Sequence, residues 1–327
     1  MDGGRRSPGP TLNVIYTRGT VRCLSLLVWS LLEHSDYRFR LVANGCLPDE
    51  ASVLQRLAEQ SPRCSFLPLP TKTIMPHGQA LNYLQAATTG NVFGFLDSDI
   101  FAVDRLPAML DLAAGRKACF CYPATIGRHH DDVVPKALAQ LSCTYFALYD
   151  AQLVAQLMDT TGVGFDKYLW SEIPREHRQH LTRLSAERPK YDTGQLLSLL
   201  LLDAGETPLV VEAPQLIHIG GFSRVAADSR PRRASLLGRL RRSISHRTAK
   251  EVRHRTKHDV GRYFSDVLEA LVAGQVVPQP TDTGDDAINQ KVRSAIDILT
   301  RVVQTRGAGA NPPALADAPG KTHHCHA

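Results

Sequence analysis

No apolar run in this 327-residue chain is long enough to cross a bilayer. The longest, around Leu24 to Leu32 and Leu196 to Leu202, fall well short of the about 20 residues that a membrane helix needs. Any membrane contact is therefore expected to be peripheral. No apolar segment follows Arg5 and Arg6, and Met1 to Pro10 is polar and rich in Gly and Pro, so a disordered N-terminus is expected and a signal peptide is not. The seven cysteines lack the paired spacing of a zinc ribbon. Most sit in apolar settings that suit buried, reduced thiols, which points to a reducing compartment and a cytoplasmic location. No internal repeat of fixed period is present.

Nucleic-acid signatures are missing as well. Arg230 to Arg262 is densely basic, but it has neither the interleaved aromatics of single-strand binders nor a helix-turn-helix or finger pattern. No nucleic-acid partner is expected from it. A solvated basic helix is the plain reading, and peripheral contact with an anionic membrane at the inner face is the alternative. The formal charge of +6, with a pI near 9.0, favours anionic partners in general.

With 43% hydrophobic and 21% charged residues, the composition is that of a globular protein with a sizeable core. From Leu12 onward, short β-rich runs alternate with helical patterns. Leu12–Tyr16, Phe39–Ala43, Ser65–Leu69 and Asn91–Leu96 read as strands, and Val21–Glu33, Pro48–Gln60 and Gly78–Thr88 as helices. Such alternation implies βαβ units and a mostly parallel sheet. Further on, Ala118–Tyr122, Cys143–Leu148 and Leu209–Val211 read as strands, Gln195–Asp203 as a buried helix capped by Asp192 or Thr193, and Tyr263–Val272 and Ala287–Val303 as amphipathic helices. The expected organisation is a disordered segment 1–10, an α/β domain 11–228, a basic helical extension 229–306 and a disordered tail 307–327.

The fourth strand ends in chemistry. Phe93-Gly94-Phe95-Leu96 runs into Asp97-Ser98-Asp99, and carboxylates at the edge of a core cost free energy unless something positive meets them. Alternate strand residues share a face, so Asp97 and Asp99 can address one cation while Ser98 points away. Oxygen donors of this kind suit Mg²⁺ or Mn²⁺. Asp-x-Asp also caps turns and helices by chance. Ligands of open α/β sheets bind outside the carboxyl ends of the strands, where this pair falls, and that raises the metal reading above the cap.

The segment Met75-Pro76-His77-Gly78-Gln79-Ala80-Leu81-Asn82-Tyr83, followed through Gly90 by Val92 to Asp99, resembles the GT-A glycosyltransferases and is most similar to their family 2 type. The similarity covers about Leu12 to Arg224. It implies a GT-A, Rossmann-like sheet flanked by helices and a nucleotide-sugar donor whose diphosphate is bridged by a divalent metal on Asp97 and Asp99. Gly78, Asn82 and Ser98 fall with the donor-binding motifs. Thr17 and Arg18 lie where the donor loop begins, and Asn44 stands where the family usually has an acidic residue that reads the base. His218, followed by Gly220, Gly221 and Arg224, is placed as a third metal ligand beside a diphosphate-contacting backbone and cation.

The family pattern puts its acidic base at Asp192, with Glu172 as a second candidate. The late Gln-x-x-Arg-Trp motif of processive synthases is absent, which favours single transfer. The implied activity is transfer of a sugar to a saccharide, lipid-linked or small-molecule hydroxyl, with inversion. A sugar-nucleotide pyrophosphorylase, for which Arg18-Gly19 is the thin match, and a non-catalytic nucleotide-binding scaffold are the alternatives. His129-His130-Asp131-Asp132 is a further polar cluster, and His323-His324-Cys325-His326 belongs to the tail.

Overall fold

The computed structural model describes residues 9–106, 112, 116–125, 145–183, 189–219, 263–264, 266–267, 269–271, 274–280 and 286–307. Most of the basic stretch, the tail beyond 307, the His129 to Asp132 cluster, and Gly220, Gly221 and Arg224 lie outside these residues.

Strands β1 (Thr11–Thr17), β2 (Arg38–Asn44), β3 (Cys64–Pro68), β4 (Val92–Asp97), β5 (Ile100–Ala102), β6 (Ala118–Thr125), β7 (Phe146–Asp150) and β10 (Leu209–His218) form one sheet in the order β3-β2-β1-β4-β7-β6-β10-β5. Six of these eight run in one direction: β1 is parallel to β2 and β4, β2 to β3, and β6 to β10, while β7 lies antiparallel between β4 and β6. Only β7 and the short β5 are reversed. A second, two-stranded sheet joins β8 (Tyr168–Leu169) to β9 (Lys190–Tyr191).

Side-chain alternation divides the core between the two faces of the sheet. Leu12, Val14, Tyr16, Phe39 and Leu41 pack with helices α1 (Val21–Leu24), α2 (Leu27–His34) and α3 (Pro48–Glu59). Ile15, Val42, Phe93 and Phe95 turn the other way, toward α4 (His77–Ala86), α5 (Ala151–Thr161) and α7 (Gln195–Asp203). On this second face Phe165 sits edge-on to Phe95 and Tyr149 and tilted against Phe93, with ring centroids 5.4–5.9 Å apart. A smaller cluster of Val163, Ile173, Leu181, Tyr191 and Leu196 lies beneath β8 and β9, between α6 (Arg175–Arg183) and α7.

Several expectations shift. The helix read over Val21–Glu33 divides at Ser25–Leu26, because the Trp29 N–H bonds three residues back, to the Leu26 carbonyl. The strand read over Leu209–Val211 is the start of the longer β10, whose pairing with β6 slips between Ala213 and Ile217, around Pro214. Cys46 and Cys64 are free thiols, half-buried, and Cys119 and Cys121 are buried in β6. Helix α8 (Asp286–Gly307) presents Val292, Ala295 and Leu299 to the same core as β1, and Phe264 joins it. Among the described residues no helix is long and apolar enough to cross a membrane.

Candidate functional site

The parallel direction of β1, β2, β4, β6 and β10 brings their carboxyl ends to one edge of the sheet. Asp97 closes β4, and its N–H donates to the Tyr145 carbonyl at 2.9 Å. The chain then reverses through Ser98 and Asp99 into β5, which pairs antiparallel with β10 so that Ile100 faces His218. The Asp99 carbonyl accepts the Ile219 N–H at 3.0 Å, which locks this corner. His218, far along the chain, thereby lands beside the acidic pair.

His218 Nε2 lies 3.2 Å from Asp99 Oδ1 and 4.0 Å from Asp97 Oδ2. Asp99 and His218 are buried, Asp97 is half-buried, and one ligand atom from each lies within 4.8 Å of the others. The imidazole packs against the Tyr145 ring, with centroids 4.3 Å apart. Burial, the Asp99 carboxylate and, more weakly, Asp192 push the Asp97 carboxyl up to about 8, against the opposing pull of His218. Two carboxylates held this close disfavour joint ionisation, and a dication relieves that conflict. Two oxygens and one imidazole nitrogen match the preference of Mn²⁺ and similar ions. The donor set therefore fits a divalent metal, with room in its shell for water or phosphate oxygens.

Other expected residues receive different partners. Asn44 is 1% exposed, and its amide is occupied: Oδ1 accepts the Met75 N–H at 2.8 Å while Nδ2 donates to the Met75 carbonyl at 2.9 Å. It ties the end of β2 to the segment entering α4. Asn82 is likewise engaged, donating to Asp166 Oδ2 and accepting from the Phe165 N–H, each at 2.7 Å. Gly78 faces the same turn, with no room for a side chain. Glu172 caps its own 3₁₀ turn by accepting the Leu169 N–H at 2.7 Å.

Thr17 and Arg18 form a tight turn closed by Thr20, with Gly19 at φ +86° and Arg18 exposed. Glu50 pins this turn, accepting the Gly19 N–H at 2.6 Å and, through its other oxygen, the Leu47 N–H at 2.8 Å. Glu50 stands in the first turn of α3, where the helix dipole favours a carboxylate. Ser98 stays half-buried between the two aspartates.

Asp192 follows β9 and is exposed; Gly194, not Asp192 or Thr193, takes the N-cap position of α7, with φ +72°. The Asp192 carboxylate forms a 2.7 Å ion pair with Lys167 and accepts its neighbour's N–H, from Thr193, at 2.9 Å. Partial burial would raise its pKa, but the Lys167 contact, the Thr193 N–H and the charge of Lys190 together hold it below the ordinary carboxylate range. Asp192 is close enough to add to the field at Asp97 and at His77, the first residue of α4. Burial and the charge of Lys167 hold the His77 imidazole down to about 4, so it is neutral near pH 7. Neither Lys167 nor His77 was singled out from sequence. His77 lay inside the motif that carried the resemblance, whereas Lys167 had no spacing signal.

No protein-family model and no curated protein sequence matches the chain. Solved structures do resemble it, and those compared are glycosyltransferases. The mannosyltransferase PcManGT from Pyrobaculum calidifontis, in complex with GDP-Man and Mn²⁺, is 13% identical with a TM-score of 0.41, and the match covers 95% of this chain and 78% of that one. The glycosyltransferase GlyE of Streptococcus pneumoniae TIGR4 is 12% identical at a TM-score of 0.41, over 89% of this chain and 64% of that one. WbbM, a bifunctional glycosyltransferase, is 12% identical at 0.37, over 64% of this chain and 40% of that one. The chain thus spans less than two thirds of the GlyE and WbbM chains. The fold itself is Rossmann-like, a mostly parallel sheet flanked by helices; what the site does chemically rests on its own residues.

Proposed function

We propose that this chain is a metal-dependent glycosyltransferase that moves a sugar from a nucleoside-diphosphate donor to an acceptor hydroxyl, in a single transfer with inversion. One observation carries the reading: Asp97, Asp99 and His218 converge at the carboxyl edge of the sheet with ligand atoms within 4.8 Å of one another. These residues would hold Mn²⁺ or Mg²⁺, and such an ion, when bound, supplies Lewis-acid stabilisation of the charge on a departing nucleoside diphosphate. Asp192 is the candidate base for the acceptor hydroxyl. Its ion pair with Lys167 keeps it ionised at neutral pH and ready to take a proton, although its lowered pKa makes it a weak base. Glu172 is the poorer candidate, since its carboxylate caps a local turn.

The pyrophosphorylase alternative needs free backbone amides after β1 to cradle phosphates. Here a carboxylate, Glu50, already takes the Gly19 N–H, which favours the transferase. The test is a thermal-shift screen of UDP-, GDP-, dTDP- and CMP-linked sugars with and without Mn²⁺, followed by assay of nucleotide release. The expected result is stabilisation and slow release that both require Mn²⁺ and are lost in Asp99→Ala. If no sugar nucleotide is turned over, and Asp99→Ala leaves nucleotide binding unchanged, the transferase reading fails.

A further inference from the structure

Helix α4 and the turn at 164–167 meet more closely than side chains allow. A Cβ on Gly78 would come within 2.6 Å of Asp166 Cα and the Phe165 carbonyl oxygen, and one on Gly164 within 2.5 Å of Asn82 Oδ1. Into this contact Asn82 places an amide whose two ends are assigned by their partners. The Phe165 N–H can only donate, so it takes Oδ1, and the Asp166 carboxylate can only accept when ionised, so it takes Nδ2. The same turn reaches the acceptor side in two ways. The Phe165 carbonyl accepts the Gly194 N–H at 3.0 Å, and Lys167 Nζ grips Asp192 at 2.7 Å. The Phe165 ring, fully buried among Phe93, Phe95 and Tyr149, anchors the turn to β4, the strand that ends in Asp97.

From this geometry we infer that Asn82 is a positioning residue: through the Phe165–Lys167 turn it sets the Asp192 carboxylate against the Asp97, Asp99 and His218 group, and it does not itself bind the donor. The inference rests on the reading of Asp192 as the base. Misplacement of a catalytic group by about 1 Å costs on the order of 100-fold in rate.

The partners suggest a swap experiment. Asn82→Asp puts two carboxylates 2.7 Å apart and breaks the lock. Asp166→Asn keeps both hydrogen bonds, because Asn82 Nδ2 can donate to an amide oxygen. The double variant Asn82→Asp with Asp166→Asn restores the bond between the two side chains with donor and acceptor exchanged, while an oxygen at position 82 still accepts the Phe165 N–H. The probes are UDP-glucose, GDP-mannose and dTDP-glucose with Mn²⁺. Affinity is measured by calorimetry, and kcat by nucleotide release, with water standing in for the acceptor.

Expected are a loss of kcat of roughly 10- to 100-fold in Asn82→Asp with donor Kd unchanged, near-native turnover in Asp166→Asn, and recovery in the double variant to within about threefold. If Asn82→Asp does not fold, Asn82→Ser replaces it, with the same split between kcat and Kd expected. A loss of donor affinity that the double variant does not restore would make Asn82 a donor contact and overturn the inference. So would unchanged turnover in Asn82→Asp while Asp192→Asn is impaired. If Asp192→Asn itself turns over normally, the assignment of the base fails instead.

Discussion

Replacing Gly78 by alanine tests whether α4 is seated on the turn that underlies the site. The added methyl would lie 2.6 Å from both Asp166 Cα and the Phe165 carbonyl oxygen, and 2.9 Å from the Asp166 nitrogen. All three are backbone atoms of a turn held by Asn82, by the Gly194 N–H and by a buried phenyl ring, so none can rotate aside. Ordinary contact begins near 3.4 Å, so helix and turn must part by roughly 0.8 Å. Overpacking of this kind costs about 1–3 kcal/mol. Alanine recovers about 0.5–1 kcal/mol of that through its better helix propensity. The net loss is about 0–2.5 kcal/mol, centred near 1, which lowers Tm by up to roughly 10 °C in a domain of this size. Gly90→Ala is the control: nothing lies within 4 Å of its Cβ, and its stability should stay within about 0.5 kcal/mol of the parent. Gly94→Ala should fall between them, since the atoms 2.7 Å away are the ends of Leu12 and Leu148. Scanning calorimetry of the whole chain reads all three. A Gly78→Ala protein as stable as Gly90→Ala would refute the close seating of α4 and the positioning argument built on it.

Further outcomes follow from the same geometry. His218→Ala removes one of the three ligand groups and should weaken Mn²⁺ binding by at least about tenfold in calorimetry, while the metal-free protein still folds. Because the folded protein holds the Asp97 proton up to about 8, against about 3.8 when unfolded, the metal-free chain loses stability as pH rises through that range. Mn²⁺ must displace that proton, so the Tm gain it gives should grow from pH 6.5 to 8; a flat gain in thermal shift would count against the site. The depressed His77 acts inside that range with the opposite sign, its contribution falling as pH drops from about 6.5 toward 4, so the two offset there and the net loss with rising pH shows above about 6.5. Finally, the Arg63 guanidinium donates to the carbonyls of Leu32, Ser35 and Tyr37 around the end of α2, so Arg63→Met should cost about 2–3 kcal/mol in urea unfolding without altering donor affinity.

The legible parts of this protein are those written in neighbouring residues. The strand running into Asp97 and Asp99, the helix starting at Pro48 with Asp49 and Glu50 in its first turn, and the apolar helix after Gly194 each carry local periodicity or capping chemistry that survives without knowledge of the fold. The division of the helix at Ser25 was not legible, because residues 21–33 hold no Gly or Pro to mark a break and the change in hydrogen bonding leaves no mark in composition. Nor was Lys167, which has meaning only because Asp192 sits opposite it.

The sequence by itself determined the alternating α/β layout and the acidic pair at the end of the fourth strand, since periodicity and the cost of carboxylates at a core edge act locally. Tertiary structure decided which partner each polar side chain meets. Asn44 spends its amide on Met75 and Asn82 on Phe165 and Asp166, Glu172 caps its own turn at Leu169, and Asp192 pairs with Lys167. The resemblance had already placed His218 as a third ligand, and the pairing of β5 with β10 is what sets its ring against Asp99. A side chain's partner depends on which distant segment the sheet order brings within about 3 Å, and that distance is a property of the fold as a whole.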